Sequence, residues 1–218
     1  MFSALRDYKD SEAKFEELKQ LLMSSAKVGD SIYFGKYEQD NNTSNGKEDI
    51  EWLVLAKDNK YFLLISKYAL DCQPYNENKS VTWEKCTLRK WLNNDFINAA
   101  FSEAERAKIP TARVTADSNA SYDTNPGNDT NDKIFLLSIL EADQLFVSNS
   151  ARQCKPTAYA DLKGVWTKDN VHCDWWLRSP GVNDYNATFV SHGGGVSDYG
   201  IDITYKFSAV RLALFLNL

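Results

Sequence analysis

WWLRSPG, from Trp175 to Gly181, and VRLALFLNL, from Val210 to Leu218, bracket the stretch that decides how this chain of 218 residues is read. The opening is stiff, aromatic and basic, and the close is apolar. Between them, Val182 to Ala209 is polar. Half of the ten glycines fall between Gly181 and Gly200, interleaved with Asn183, Asp184, Tyr185, Asn186, Ser191, His192, Ser197, Asp198 and Tyr199. Tyr, Ser, Gly and Asn dominate antibody paratopes, because Tyr gives contact area at low entropic cost and the others adapt their hydrogen bonds. Two anchored ends holding such a middle read as a display surface rather than a catalytic cleft.

The rest of the composition sets bounds. A hydrophobic fraction of 43% with 13% aromatic residues is enough for a sizeable core, as one large domain or a domain with an appendage. The net charge of −5 weighs against nucleic acid, which favours a basic face. No stretch approaches the ~20 apolar residues of a membrane span. The start, MFSALRDYKD, lacks the apolar centre of a signal peptide. Localisation therefore stays open between cytoplasmic and exported or virion-associated. Phosphate-loop, dinucleotide and zinc-protease motifs are absent, so no cofactor and no metal are expected. Cys72, Cys86, Cys154 and Cys173 are widely spaced without a C-x-x-C pair. They read as small buried hydrophobes inside a cell, or as two disulfides if the chain is exported. Cys72 with Cys86 is one such pairing, closing a loop of about 15 residues.

Upstream the chain alternates short strands and turns. Asp30 to Tyr37 alternates ahead of a polar turn, and Ile50 to Ala56 and Tyr61 to Ser66 are β-rich runs separated by KDNK, a hairpin signal. Thr82 to Asn98 places Leu88, Trp91, Leu92 and Phe96 at helical spacing. Ser102 and Glu105 make a capping box for a short helix, Ser102 to Lys108, which Pro110 ends. Residues 115–132 read as a long polar loop, Ile134 to Leu140 as a buried strand and Glu141 to Phe146 as a short helix. Strands are expected at Trp175–Arg178, Thr188–His192, Gly195–Ser197, Ile201–Thr204 and Val210–Leu214. Residues 3–23 read as amphipathic helix, so residues 1–26 form a helical stub and residues 27–218 the main domain. The whole is an α+β chain with short twisted antiparallel sheets, two or more helices and long loops.

These residues also carry a resemblance. WWLRSPG, followed by Val190, Gly195, Val196, Gly200 and VRLAL, resembles the ending of a bacterial domain family of unknown function whose members close on WWLRSPG and GVRPAL. VGDSIYFGKYEQD (Val28 to Asp40), EWLVL (Glu51 to Leu55), TLRKWLN (Thr87 to Asn93), FLLS (Phe135 to Ser138) and PTAYA (Pro156 to Ala160) are similar to its other segments. Leu212 replaces the family's proline, which implies a less rigid final turn. The resemblance implies a C-type-lectin-like fold in the formylglycine-generating-enzyme branch. LRDYKDSEAKFEEL is similar to the last helical pair of repeats found ahead of such domains. The same fold is used by variable proteins of diversity-generating retroelements, in which adenine-directed mutagenesis rewrites Asn-type codons on a fixed scaffold. From Val182 to Ala209 every residue except Lys206 belongs to the set reachable from such codons.

The ligand-binding candidates are therefore Asn183, Asp184, Tyr185, Asn186, Thr188, Phe189, Ser191, His192, Ser197, Asp198, Tyr199, Asp202, Tyr205 and Phe207. Alternation along a strand turns about half of them to solvent. Trp175, Trp176, Arg178 and Arg211 read as structural, the arginines satisfying a carboxylate or backbone carbonyls. The expected partner is a protein or glycan, with no nucleic acid. Asp123, Asn125, Asn128, Asp129 and Asp132 are oxygen ligands of the kind calcium takes, or a solvated turn-rich loop. An undiversified carbohydrate- or protein-binding module is the alternative. An oxidoreductase of the formylglycine-generating kind is weaker, because Cys173 has no nearby cysteine in sequence.

Overall fold

The computed structural model describes residue 14 and residues 25–78, 80–168 and 171–218. The helix expected over residues 3–23 lies outside the described residues, apart from Lys14. The fold is mixed α+β, with several short antiparallel sheets and few helices.

Two five-stranded sheets carry it. The first runs in the order β1 (Ser31–Tyr37), β2 (Glu48–Lys57), β3 (Tyr61–Ser66), β14 (Ala213–Asn217) and β7 (Ile134–Phe135), antiparallel throughout. KDNK closes the β2–β3 hairpin because Asp58 Oδ1 accepts the N–H groups of Lys60 and Tyr61, each at 2.7 Å. The second sheet runs β12 (Val196–Asp202), β11 (Asn186–Val190), β10 (Trp175–Pro180), β13 (Ala209–Val210) and β4 (Asp71–Cys72). Within it, β10 and β13 meet in parallel at Trp175 and Ala209. Two small hairpins, β5 (Ala112–Val114) with β6 (Thr130–Asp132) and β8 (Thr167–Lys168) with β9 (His172–Cys173), lie beside the sheets.

The expected long helix arrives in pieces. They are a 3-10 turn (Trp83–Lys85), α1 (Thr87–Trp91), a π turn (Leu92–Phe96) and α2 (Ile97–Ala100). Asn93, Asn94 and Asn98 each turn a side-chain amide onto the carbonyl four residues back, at 3.1, 2.8 and 2.6 Å. Such bonds compete with the helical ladder. The box at Ser102 and Glu105 does open α3 (Glu103–Lys108). Ile134 to Leu140 is a strand for two residues only, because Ser138 and Glu141 form a second capping box that starts α4 (Ile139–Leu145). Two more short helices, α5 (Asn149–Arg152) and α6 (Ala158–Leu162), begin at Ser148 and Thr157 caps.

Gly195–Ser197 and Ile201–Thr204, read as two strands, are replaced by the one strand β12, Val196–Asp202, which runs through Gly200 and leaves Gly195, Ile203 and Thr204 outside it. A Cβ on Gly200 would sit 2.6 Å from the Ala187 carbonyl oxygen, and its φ of +78° suits only glycine well. The run Val210–Leu214 splits instead into β13 and β14, and the chain crosses from one sheet to the other at Arg211 and Leu212. Arg211 is 1% exposed there. Its Nε donates to the Ser66 carbonyl at 3.0 Å and its Nη1 to the Arg152 carbonyl at 2.9 Å. The guanidinium also lies over the rings of Phe146 and Trp175, at 5.4 and 5.0 Å.

Candidate ligand-binding surface

The frame comes first. Trp175 and Trp176 are fully buried, and their indole N–H groups donate to the carbonyls of Arg152 (3.1 Å) and Gln73 (2.9 Å). Arg178, 3% exposed, ties β10 to its surroundings. It donates to the Leu136 carbonyl at 2.8 Å and the Thr115 carbonyl at 3.2 Å, and pairs with Glu141 and Asp117. These residues hold the β10–β11–β12 meander rigid from behind.

One group of candidates gathers at the β10–β11 turn and along β12, the edge strand of its sheet. Tyr185 and Tyr199 are 48% and 58% exposed. Asn183 shapes the turn by accepting the Tyr185 N–H at 2.9 Å. Asp184 accepts the Ser80 hydroxyl, and Asp198 accepts that of Ser121 at 2.5 Å. Asn119, 3% exposed, donates to the carbonyls of Pro180 (2.9 Å) and Asp198 (2.7 Å). It thereby pins the long polar loop against the strand edge and sets Tyr122 edge-on to Tyr199 at 6.2 Å. Asn186 and Ser197 are half-buried in this group. Asp202, at its border, caps the next turn by accepting from Thr204.

A second group lies at the other end of the hairpin, a strand length of roughly 15 Å away. Ser191 and His192 form its tip. Asp174 accepts the His192 N–H at 2.6 Å and lies 3.2 Å from its Nδ1. The His192 ring meets Trp166 edge-on at 5.3 Å, and Tyr205 meets Phe207 at 5.4 Å. The Trp166 N–H donates to the Phe207 carbonyl at 2.8 Å, which joins the two pairs. Burial, then Asp174 and Cys72, push the Tyr205 hydroxyl above its ordinary value.

Two candidates face the wrong way. Thr188 is fully buried and its hydroxyl donates to the Ser179 carbonyl at 2.9 Å. Phe189 packs against the core. A register shift between Ala187 and Phe189 breaks the simple alternation. Trp166, Asp174, Asn119 and Tyr122 complete the surface, and no local pattern in the sequence marks them.

The calcium candidates are drawn apart. Asp132 is 1% exposed and pairs with Arg89, Asp129 accepts from Ala116 and pairs with Arg113, and Asn125 caps Gly127. Among the described residues the oxygens of Glu38, Asp40 and Glu48 come within 4.8 Å of one another. They accept the N–H groups of residues 39, 40 and 42 and so close the turn between β1 and β2.

All four cysteines are free and buried. The Cys72–Cys86 disulfide is not formed. The Cys72 thiol donates to the Lys206 carbonyl at 3.1 Å, and the Cys86 sulfur caps α1 by accepting the Arg89 N–H at 3.3 Å. Burial pushes both thiols up to about 12. Cys173 does have a cysteine beside it. Its N–H donates to the Cys154 carbonyl at 2.9 Å, and its thiol is pushed up by the bond to Cys154 and then by burial.

Frame and surface together define a two-sheet α+β domain whose exposed aromatics sit on a rigid meander. No helix among the described residues is long and apolar enough to cross a membrane. Residues 59–218 match the family described as Domain of unknown function (DUF6273), and the chain belongs to that family. β1 and β2 precede the match and still complete the first sheet. No curated protein and no solved structure matches the chain.

Proposed function

We propose that this chain is a non-catalytic ligand-binding module of the C-type-lectin kind, in the formylglycine-generating branch. Its surface is built from Asn183, Asp184, Tyr185, Asp198 and Tyr199, and its ligand is a protein or glycan. The observation that carries the reading is the contrast in exposure along residues 175–211. Tyr185, Tyr199 and Phe207 are about half exposed, while Trp175, Trp176, Arg178 and Arg211 behind them are at most 3% exposed. Exposed aromatics on loops held by a rigid scaffold are how binding surfaces are built. Residues at the outer positions also belong to the set that retroelement diversification produces, and we read the surface as diversified in that way.

Sequencing the gene and its flanks from many isolates tests this. Substitutions should fall on exposed positions such as 183, 185, 199 and 207, at codons that are AAY in a nearby repeat. They should spare the buried Ala187, Thr188, Val190, Ile203 and Ser208. Variation scattered over the chain would leave an undiversified module with one fixed ligand. The oxidoreductase reading is disfavoured by burial, since all four thiols are shut away from substrate.

A further inference from the structure

A concave surface lies away from Tyr185 and Tyr199. Two hollows of about 340 and 330 Å³ share Gln153 and His172 as a common wall. The first reaches Lys67, Tyr68, Lys155 and Arg211, and the second reaches Lys168, His192 and Gly193. Among the described residues no carboxylate lines either hollow, although the chain carries 30 acidic against 25 basic side chains.

The fold gathers these groups from five segments. Residues 155–157 run beside Ala69, whose N–H donates to the Lys155 carbonyl at 3.0 Å, and this brings Lys67 and Lys155 to one wall. Lys168 and His172 are cross-strand partners in the β8–β9 hairpin. His192 comes from the β11–β12 tip, which Arg152 fixes by donating to the Gly194 carbonyl at 2.8 Å. Both histidines of the chain therefore line one hollow.

Charge decides what fits. Lys67 is paired with Glu51 at 2.7 Å, but Lys155 and Lys168 are exposed and have no carboxylate partner among the described residues. Among the described residues three arginines are buried. Arg178 has Glu141 and Asp117, and Arg152 has Asp143. Arg211 has carbonyl oxygens and the faces of Phe146 and Trp175 but no carboxylate among the described residues, and it is the one that lines a hollow. A buried guanidinium stays charged, and a buried charge without a counter-charge is costly. An anionic group in the hollows is favoured by Lys155 and Lys168, which line them, and by the Arg211 charge in the wall.

We propose that the paired hollow binds a small oxyanion-bearing ligand of about the size of a sugar. Lys155, Lys168 and His172 hold its phosphate or carboxylate group, and Leu53 and Tyr68 face its body. A hollow of this size falls at the small end of the ligand-pocket range, which begins near roughly 300 Å³. The site stands apart from Tyr185 and Tyr199, so either assignment can fail without the other.

Isothermal titration of the full chain with glucose 6-phosphate, glucuronate and glucose, at low and high salt, tests the proposal. One or both charged sugars should bind saturably, more weakly at high salt, and glucose should not bind. Preference for the first assigns a phosphate, and preference for the second a carboxylate. The double variant Lys155→Ala/Lys168→Ala should bind about tenfold or more weakly, a loss of about 1.4 kcal/mol or more. Lys90→Ala, on α1, should bind as the parent does. Absence of saturable binding by both charged sugars, equal binding of glucose, or parent-like affinity in the double variant would each overturn it. Both lysines are exposed, so the variant should fold, and the salt dependence of the parent gives a reading that needs no variant.

Discussion

Arg178 on β10 meets Glu141 on α4 through two parallel hydrogen bonds, the Nη2 to Oε1 bond being 2.9 Å and the Nη1 bond going to Oε2. The same carboxylate closes the α4 capping box by accepting the Ser138 N–H at 2.9 Å. One glutamate thus fixes a helix start and neutralises a guanidinium that is 2% exposed. Removing one partner of a fully buried pair costs about 3–5 kcal/mol. Glu141 is 31% exposed and Asp117 remains beside the arginine, so Glu141→Ala should cost about 2–3 kcal/mol, lowered from that range for solvent screening. Asp117→Ala should cost about 1 kcal/mol or less. Urea unfolding of the two variants checks the ranking. Equal costs would mean that the backbone carbonyls alone hold Arg178.

The tip of the β11–β12 hairpin depends on Gly194. Its φ is +81°, and a Cβ there would overlap the carbonyl oxygen of Asn149. Both strain and overlap oppose any side chain. Gly194→Ala should lose about 2 kcal/mol or more. Gly193→Ala, whose Cβ would meet nothing closer than the Ser191 hydroxyl at 3.8 Å, should change stability by about 0.5 kcal/mol or less. Thermal unfolding of the pair separates them.

How far the sequence was legible follows from the range over which each signal acts. KDNK and the Ser102–Glu105 box are local, and β3 and α3 appear where those patterns place them. Ser138–Glu141 carries the same box, yet the apolar run Ile134 to Leu140 around it also fits a strand, so periodicity alone misplaced the boundary. The burial of Trp175, Trp176 and Arg211 was readable from residue type. That of Thr188 was not, because a register shift in the partner strand turned it inward. Asn119 and Asp174 act through contacts 79 and 18 residues away. Such contacts depend on how the loop and sheets pack, which a single chain's pattern does not encode.

Tyr185 and Tyr199 make their contacts at the surface, so truncating them should cost little stability. Tyr185→Ala and Tyr199→Ala should each fall within about 0.5 kcal/mol of the parent. Trp176→Ala removes a fully buried indole and its bond to the Gln73 carbonyl, and should cost about 3–5 kcal/mol. Denaturant unfolding of the three variants measures this. A large loss at either tyrosine would make it part of the core and remove it from the binding surface.

Stability should also fall at alkaline pH, through groups whose folded state holds a proton tightly. Burial raises the Cys86 thiol from 9.0 to about 12. Between those values the unfolded chain releases a proton that the folded chain keeps. The contribution is therefore fully present below pH 9 and declines above it, at up to about 1.4 kcal/mol per pH unit. Lys163 acts in the same direction. Burial lowers its value, but the bond to Asp71, 2.9 Å away, outweighs this and leaves it raised above 10.5. Its ion pair is present below that value and lost as pH rises through the raised one. Urea unfolding from pH 7 to 12 should show these contributions flat to pH 9 and falling beyond it. Cys86→Ala removes the thiol's share, so its curve should fall less steeply over that window. Parallel curves for parent and variant would mean that the Cys86 proton does not contribute to the alkaline loss.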